Sequence, residues 1–354
     1  LKTSLYALAT LAALSNCASA QSGISISGMV DMGLVREWGG AAGPVTRISS
    51  GVENGSRIIF KGNEDLGDGN SAIFHLESGF QSDTGALGQG GLLFGRQAYV
   101  GLASQRLGTL TLGRQYTPNY LIMAGVADPF AAGLAGVFSS VFANSGARVN
   151  NSVKYVTPRV NGVFAEVLYG AGEVAGDNGA GSAAGAALGY SQGKLNARLG
   201  YAWRDNDTAT LKNRGSARNA VFAFNYDFTV VKLFFAYGVN RGLNSSQLPN
   251  ANAYGHAAAP ALSVASNDVL LGATIPFQGG RIIATAVRKD DRSANNQDAS
   301  LLALGYSYNL SKRTDLYVAY GHIDNRNGAG YTVNSAIDVG SGNRAFNLGI
   351  RHLF

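Results

Sequence analysis

Ala220-Val-Phe-Ala-Phe-Asn-Tyr-Asp-Phe228 and, two residues later, Val231-Lys-Leu-Phe-Phe-Ala-Tyr-Gly-Val239 carry the pattern that decides the fold. Phe222, Phe224, Tyr226 and Phe228 alternate with Val221, Ala223, Asn225 and Asp227. Leu233, Phe235, Tyr237 and Val239 alternate with Lys232, Phe234, Ala236 and Gly238. Successive side chains of a strand point to opposite faces, so period two marks a strand. The stretches 195–203 and 302–310 repeat it. One face is large and apolar, the other small or polar. Pattern alone does not say which face is inside, and a soluble sandwich turns its large side chains inward. Three features reverse that order here. The polar faces mix Lys, Arg and Asp with Gly, unlike a uniformly solvated face. The runs last about ten residues, the length of a membrane-spanning strand. Tyr and Trp gather near the run ends, as at a lipid–water interface. The expected fold is all-β, a transmembrane antiparallel β-barrel.

Composition agrees. Charged residues are 14% of the 354, against roughly 25% in soluble domains. The 48 Gly, 16 Tyr and 16 Phe suit a chain whose membrane signal is alternation rather than one long apolar span. The N-terminus reads as a separate object. Lys2, the apolar stretch 5–14 and the small residues Ala18, Ser19 and Ala20 form a signal-peptide pattern. Residues 1–20 are expected to be cleaved, leaving 21–354 as one barrel domain. Cys17, the only cysteine, would leave with the leader, so the mature chain offers no disulfide or thiol chemistry.

Connections alternate in length. Short ones fall near 66–70, 104–107, 192–193, 278–280 and 311–312. Long polar ones fall near 38–50, 82–91, 173–182, 205–217, 242–266 and 325–343, and the Gly/Ala-rich run 170–187 reads as an external loop. Short periplasmic turns and long external loops are the asymmetry of outer-membrane barrels. The segments count to 16 strands, the last being 344–354. An even number returns both chain ends to the periplasmic side.

One connection is anomalous. From Tyr116 to Ala147 the chain has a single charge, Asp128, among Gly, Ala, Phe, Leu, Val and Ser. Loops this long are functional or disordered, and disorder needs low hydrophobicity. Asp128-Pro129, with Gly125, Gly133 and Gly136, breaks any membrane helix. An apolar loop that neither dissolves nor spans is expected to fold into the barrel mouth and narrow it.

Several motifs carry a resemblance. They are Gly55-Ser-Arg-Ile-Ile-Phe-Lys-Gly-Asn-Glu-Asp-Leu-Gly67, Phe74-His-Leu-Glu-Ser-Gly-Phe80, Leu93-Phe-Gly-Arg-Gln-Ala-Tyr-Val-Gly-Leu102, Gly108-Thr-Leu-Thr-Leu-Gly-Arg-Gln-Tyr116, Arg148-Val-Asn-Asn-Ser-Val-Lys-Tyr155 and Asn347-Leu-Gly-Ile-Arg-His-Leu-Phe354. In this order the chain resembles the trimeric general porins of Gram-negative bacteria, β-proteobacterial type (Burkholderia, Bordetella, Comamonas and Neisseria relatives). The resemblance implies a sixteen-stranded homotrimeric barrel whose long third external loop folds into the pore. It also implies an arginine cluster at Arg57, Arg96 and Arg148 facing that loop, with Glu77 as the matching carboxylate. Family members often place acids just after the Gly-Arg-Gln-Tyr motif. Here the residues are Thr117-Pro-Asn-Tyr120, which favours a more positive constriction.

Alternation assigns faces independently of the resemblance. Outward Ile58 and Phe60 put Arg57 and Lys61 inward. Outward Phe74 and Leu76 put His75 and Glu77 inward. Outward Tyr99 puts Arg96 inward, and outward Val149, Val153 and Tyr155 put Arg148 and Lys154 inward. Arg114 shares the outward face of Leu110 and Leu112. The constriction is expected to hold Arg57, Arg96, Arg148, Glu77, Lys61 and Asp128. The wider lumen wall should hold Lys154, Lys194, Arg198 and Lys232. Guanidinium stays charged and planar, so stacked arginines make a permanent positive wall that selects permeants by charge.

No metal-ligand motif, phosphate loop or nucleophile elbow is present, so no cofactor or metal is expected and the chain reads as a channel rather than an enzyme. Two other readings stand beside it. One is a barrel phospholipase built on outward His322 or His352; the other is an adhesin or structural barrel with little conductance. The net charge of +6 is scattered along strand faces rather than gathered in a patch, which argues against nucleic acid. The expected function is passive diffusion of ions and small hydrophilic solutes, anions foremost, across the outer membrane. The expected partners are identical copies in a homotrimer, outer-membrane lipid and lipopolysaccharide. Small or flat outward residues such as Gly28, Ser78 and Gly101 would permit close barrel contact.

Overall fold

A computed structural model describes residues 23–144 and 146–354. The expected leader and its cleavage site lie outside the described residues. Seventeen strands form one antiparallel sheet. They are β1 (Gly23–Trp38), β2 (Val45–Ser50), β3 (Arg57–Gly67), β4 (Asn70–Gly79), β5 (Gln97–Ser104), β6 (Gly108–Tyr116), β7 (Arg148–Val156), β8 (Val163–Gly170) and β9 (Ala183–Gln192). The chain continues through β10 (Leu195–Asp205), β11 (Ser216–Asp227), β12 (Lys232–Arg241), β13 (Ala265–Phe277), β14 (Gly280–Asp291), β15 (Ala299–Asn309), β16 (Thr314–Asn325) and β17 (Arg344–Leu353).

The sheet closes on itself. Met29–Trp38 of β1 pairs with β17. The other edge of β1 is shared, β2 taking Met32–Glu37 and β3 taking Gly23–Met29. β2 and β3 are therefore two halves of one stave, interrupted at 51–56, and the barrel has sixteen staves. Closure leaves no edge strand, which a chain in lipid requires.

Two boundaries differ from the sequence reading. The stretch 45–50 is strand rather than loop, and β9 begins at Ala183, inside the supposed 170–187 loop. In both places the contrast between faces is weak. On β9 the inward residues are Ala183, Gly185 and Ala187, too small to announce a strand.

The faces run as the alternation implies. Leu302 and Leu304 are 63% and 59% exposed on the outside, whereas Ala223 and Ala236 are fully buried on the inside. What buries them is the third long connection. Its apolar residues, Ile122, Met123, Val126, Phe130, Leu134, Phe138 and Phe142 among them, pack against inward Val221, Leu270, Ile283, Leu301, Ala319 and Ile323. The main hydrophobic core thus lies between this segment and the concave wall.

Local chemistry explains the segment's path. Thr117 caps a short helix, α1 (Pro118–Ile122), its Oγ1 accepting from Tyr120 N at 3.2 Å, with Pro118 in the first turn. A π turn, Met123–Ala127, follows and stops at Asp128-Pro129. Asp128 then organises the tip. Its carboxylate accepts from the N–H groups of Phe130 at 3.0 Å, Ala132 at 3.0 Å and Phe138 at 3.2 Å. Burial pushes this carboxyl up to about 7, against the three N–H donors, which favour the charged form.

The wall is cut to receive the segment. Gly200, Gly238, Gly272 and Gly305 lie on the inward faces of β10, β12, β13 and β15. A Cβ would meet Ile122 Cδ1 at 2.5 Å from Gly200, Phe142 at 2.7 Å from Gly238, Pro129 at 2.6 Å from Gly272 and Phe130 at 3.0 Å from Gly305. Main-chain groups add direct bonds. Asn225 Nδ2 donates to Val126 O at 2.8 Å, Asn119 Nδ2 to Asn219 O at 3.1 Å, and Ala143 N to Asp268 Oδ2 at 2.8 Å.

Candidate functional site: a cavity lined by three arginines

Opposite the packed side, a cavity of about 530 Å³ separates the 117–147 segment from the β3–β7 wall. Arg57 opens β3, Arg96 directly precedes β5 and Arg148 opens β7, so all three sit where strands emerge at the long-loop end. The segment contributes Tyr120, Ala124, Ala131, Phe138 and Asn144, and the last external connection contributes Ala336 and Ile337. Among the described residues, the charged ones lining the cavity are the three arginines.

A fixed network aims them. Glu77 Oε1 accepts from Arg96 Nε at 2.7 Å and from Arg57 Nη1 at 3.2 Å. Its Oε2 accepts from Gln97 Nε2 at 2.9 Å, with His75 Nε2 at 3.3 Å. Glu77 is itself 2% exposed, so it sits behind the arginines rather than in the cavity. Arg57 is held again by Gly55 O, 3.0 Å from its Nε, and by Asn54 Oδ1. Arg148 Nη2 donates to Tyr116 Oη at 2.8 Å, and its guanidinium lies 4.5 Å from the Tyr116 ring. Tyr116 stacks on Tyr120 at 5.0 Å, which links the wall to the segment. Planar guanidinium groups on aromatic and carboxylate partners keep their geometry as well as their charge.

The other predicted residues are dispersed. Asp128 does not line the cavity, because its carboxylate is spent on its own segment's N–H groups. Lys61 lies four residues further along the inward face from Arg57, toward the short-turn end and outside the cavity. Lys154 is buried against Glu166 at 3.0 Å. Lys194 sits in the β9–β10 turn, donating to Thr229 Oγ1 at 3.1 Å. Arg198 and Arg159 flank inward Phe164, with guanidinium carbons 5.0 and 4.6 Å from its ring. Lys232 lies 5.2 Å from the Phe234 ring.

Three face assignments need correction. Tyr99 pairs with His75 and stacks on it at 5.2 Å, so it points inward, as does Gly101 two residues on. Arg96 still reaches the cavity because it precedes β5, where strand alternation does not apply; its N–H bonds Glu77 O at 3.2 Å. Val149 packs inward with Leu168 and Ala183. The β6–β7 register shifts between Gly113 and Gln115, and Asn151 has φ +50, so alternation cannot be counted through that point.

The sequence reading missed the 51–56 segment altogether. It missed further inward ion pairs too: Arg351–Asp315 at 2.8 Å, and Lys289–Asp268 at 3.7 Å. The outward histidines have other partners than serine. His352 Nδ1 lies 2.8 Å from Thr314 Oγ1, and His322 Nδ1 lies 3.2 Å from Asn343 O. No cluster able to hold a metal occurs among the described residues.

Comparison with known proteins places this architecture. An outer membrane porin protein of Bordetella pertussis is 32% identical over 399 residues, covering 100% of both chains. Outer membrane porin protein 32 of Delftia acidovorans is 29% identical over 374 residues, again covering 100% of both. Among solved structures, the anion-selective porin from Comamonas acidovorans superposes with a TM-score of 0.76 at 26% identity, covering 94% of this chain and 100% of that one. The model of the Gram-negative porin family matches residues 7–328. The closed sixteen-stave barrel fits that match, and this chain belongs to the Gram-negative porin family: it is an outer-membrane porin, a channel for passive diffusion.

Proposed function

We propose that the cavity is the selective constriction of the channel and that it prefers anions. The observation that carries this is the charge of its lining: Arg57, Arg96 and Arg148 on one side, and no charged residue from the 117–147 segment on the other. Glu77 offsets one of the three positive charges, leaving about two net. In a passage this narrow the field acts on every ion and is poorly screened. Two of the other inward cations are neutralised where they stand, Lys154 by Glu166 and Arg351 by Asp315 and Glu53. The Comamonas acidovorans porin that superposes on this chain is anion-selective, which points the same way.

We propose further that the channel is a homotrimer surrounded by lipid and lipopolysaccharide. The small residues expected at the contact do not supply it. Gly28 is roofed by the Phe354 ring, Ser78 is buried, and Gly101 faces inward. The apolar outward row Val100, Leu102, Leu110 and Leu112 is the better contact surface on these staves. In planar bilayers the purified protein should give stepwise conductance, and its detergent complex should have the mass of three chains. Failure to conduct would remove the channel reading; a monomeric mass would remove the trimer alone.

A further inference from the structure

The break between β2 and β3 has a consequence for the constriction. Residues 51–56 leave the wall as a spur into the barrel, and one buried carboxylate gathers its main chain. Asp31 Oδ1 accepts from Val52 N at 3.1 Å, and Oδ2 accepts from Glu53 N at 3.1 Å and Asn54 N at 2.7 Å. Successive N–H groups converging on one anion form a nest. Tyr317, across the barrel seam on β16, donates its hydroxyl to Oδ1 at 2.7 Å. Asp31 is 0% exposed, so it contacts neither solvent nor permeant. Its main chain grips the spur's ends as well: Gly51 N donates to Asp31 O at 2.8 Å, and Asp31 N donates to Ser56 Oγ at 3.0 Å.

The spur touches both sides of the passage. On one side, Asn54 Oδ1 and Gly55 O hold the Arg57 guanidinium. On the other, Val52 O accepts from Leu134 N at 2.8 Å, at the tip of the constricting segment, and from Ala336 N at 3.3 Å. Gly133 lies so close to Glu53 O that no Cβ fits between them. The Glu53 side chain is tied back to the wall, 3.4 Å from Arg351 Nε and 3.8 Å from Arg281 Nη2.

We propose that Asp31 is a positioning residue for selectivity: by fixing the 51–56 spur it sets the arginine wall and the loop tip in register across the passage. The proposal rests on the anion-preferring reading of the cavity. Its sign separates it from a direct charge effect. Asp31 is negative, so if it acted only through its charge, neutralising it would strengthen anion preference. If it acts by holding the spur, neutralising it frees Arg57 and the loop tip, and anion preference falls.

The experiment records Asp31→Asn, Tyr317→Phe and wild-type channels in planar bilayers under a KCl gradient, with heat-dependent gel mobility checking that each barrel is folded. In Asp31→Asn, the chloride-to-potassium permeability ratio should fall about twofold and open-channel current noise should rise by a similar factor, since sites held this way depend on supporting hydrogen bonds. Tyr317→Phe removes one donor and leaves the nest, so both changes should be smaller and in the same direction. Should Asp31→Asn fail to fold, Tyr317→Phe carries the test alone. Unchanged noise with a ratio that is unchanged or higher overturns the proposal. A wild-type channel without anion preference overturns the underlying reading instead, and the noise comparison then still decides whether the spur steadies the loop.

Discussion

Arg96→Ala is expected to move the zero-current potential in a KCl gradient clearly toward the cation side, and Arg198→Ala to move it little. Both guanidinium groups face inward, but only Arg96 lines the cavity. A unit charge acts on an ion about 8 Å away with about 0.5 kcal/mol even at the dielectric constant of water. That term favours chloride and disfavours potassium equally, so losing it divides the permeability ratio by about five before screening. Arg96→Ala also leaves Glu77 with one guanidinium partner in place of two, so the net charge around the cavity drops from about two to about one. Arg198 instead stacks on Phe164 beside Arg159, outside the cavity. The Debye length is about 8 Å at physiological salt and about 3 Å at 1 M. The gap between the two variants should therefore persist at moderate salt and close near molar salt. Equal shifts would mean that the constriction lies elsewhere.

Ala124→Glu should abolish much of the anion preference from the opposite bank. Ala124 lies in the π turn Met123–Ala127, is only partly buried, and lines the cavity facing the arginines. A carboxylate there meets no acidic neighbour on its segment except Asp128, which is occupied by its own N–H donors. It would cancel about half of the net positive charge and set a transverse field across the passage. The expected result is a zero-current potential moved well toward zero from the wild-type value, with the barrel intact. Positions 131 and 132 are poorer hosts, since Ala131 and Ala132 already hold φ +50 and +66, where a longer side chain adds strain. A potential identical to wild type would place the 117–147 segment away from the ion path.

The barrel was legible because its signal is local and repeated. Phe222, Phe224 and Tyr226 against Val221, Ala223 and Asn225 already separate two faces, and closure and stave number follow from counting such runs. Loop composition was legible for the same reason: a chain from Tyr116 to Ala147 with one charge has nowhere to go but against protein. Errors arose wherever alternation was counted across an interruption. Outward Tyr99 would put Arg96 inward by alternation, but Tyr99 faces inward and Arg96 reaches the cavity because it precedes the strand. Alternation puts Val149 outward, but the count crosses the bulge at Asn151, φ +50, and Val149 faces inward. Periodicity turns Arg57 and Glu77 inward and the resemblance pairs them, but their hydrogen-bonded contact with Arg96 needs three different staves in register.

Other features were illegible in principle from one strand at a time. Asp128 looked like an isolated charge and proves to be a turn organiser, because the N–H groups it binds belong to residues 130, 132 and 138. The spur at 51–56 looks like part of an ordinary polar loop. Its inward course depends on Asp31, twenty or more residues earlier, and on Tyr317 at the far end of the chain. The glycines that seat the 117–147 segment carry no pattern of their own. Gly200, Gly238, Gly272 and Gly305 become a set only when the staves stand side by side.

The measurement that tests the central claim most directly is the sign of the zero-current potential of the wild-type channel across a steep KCl gradient at moderate ionic strength. Three arginines facing an uncharged loop surface predict the sign for chloride as the more permeant ion, with the preference weakening as both solutions approach molar salt. A potential of the opposite sign, or none at all, would contradict it.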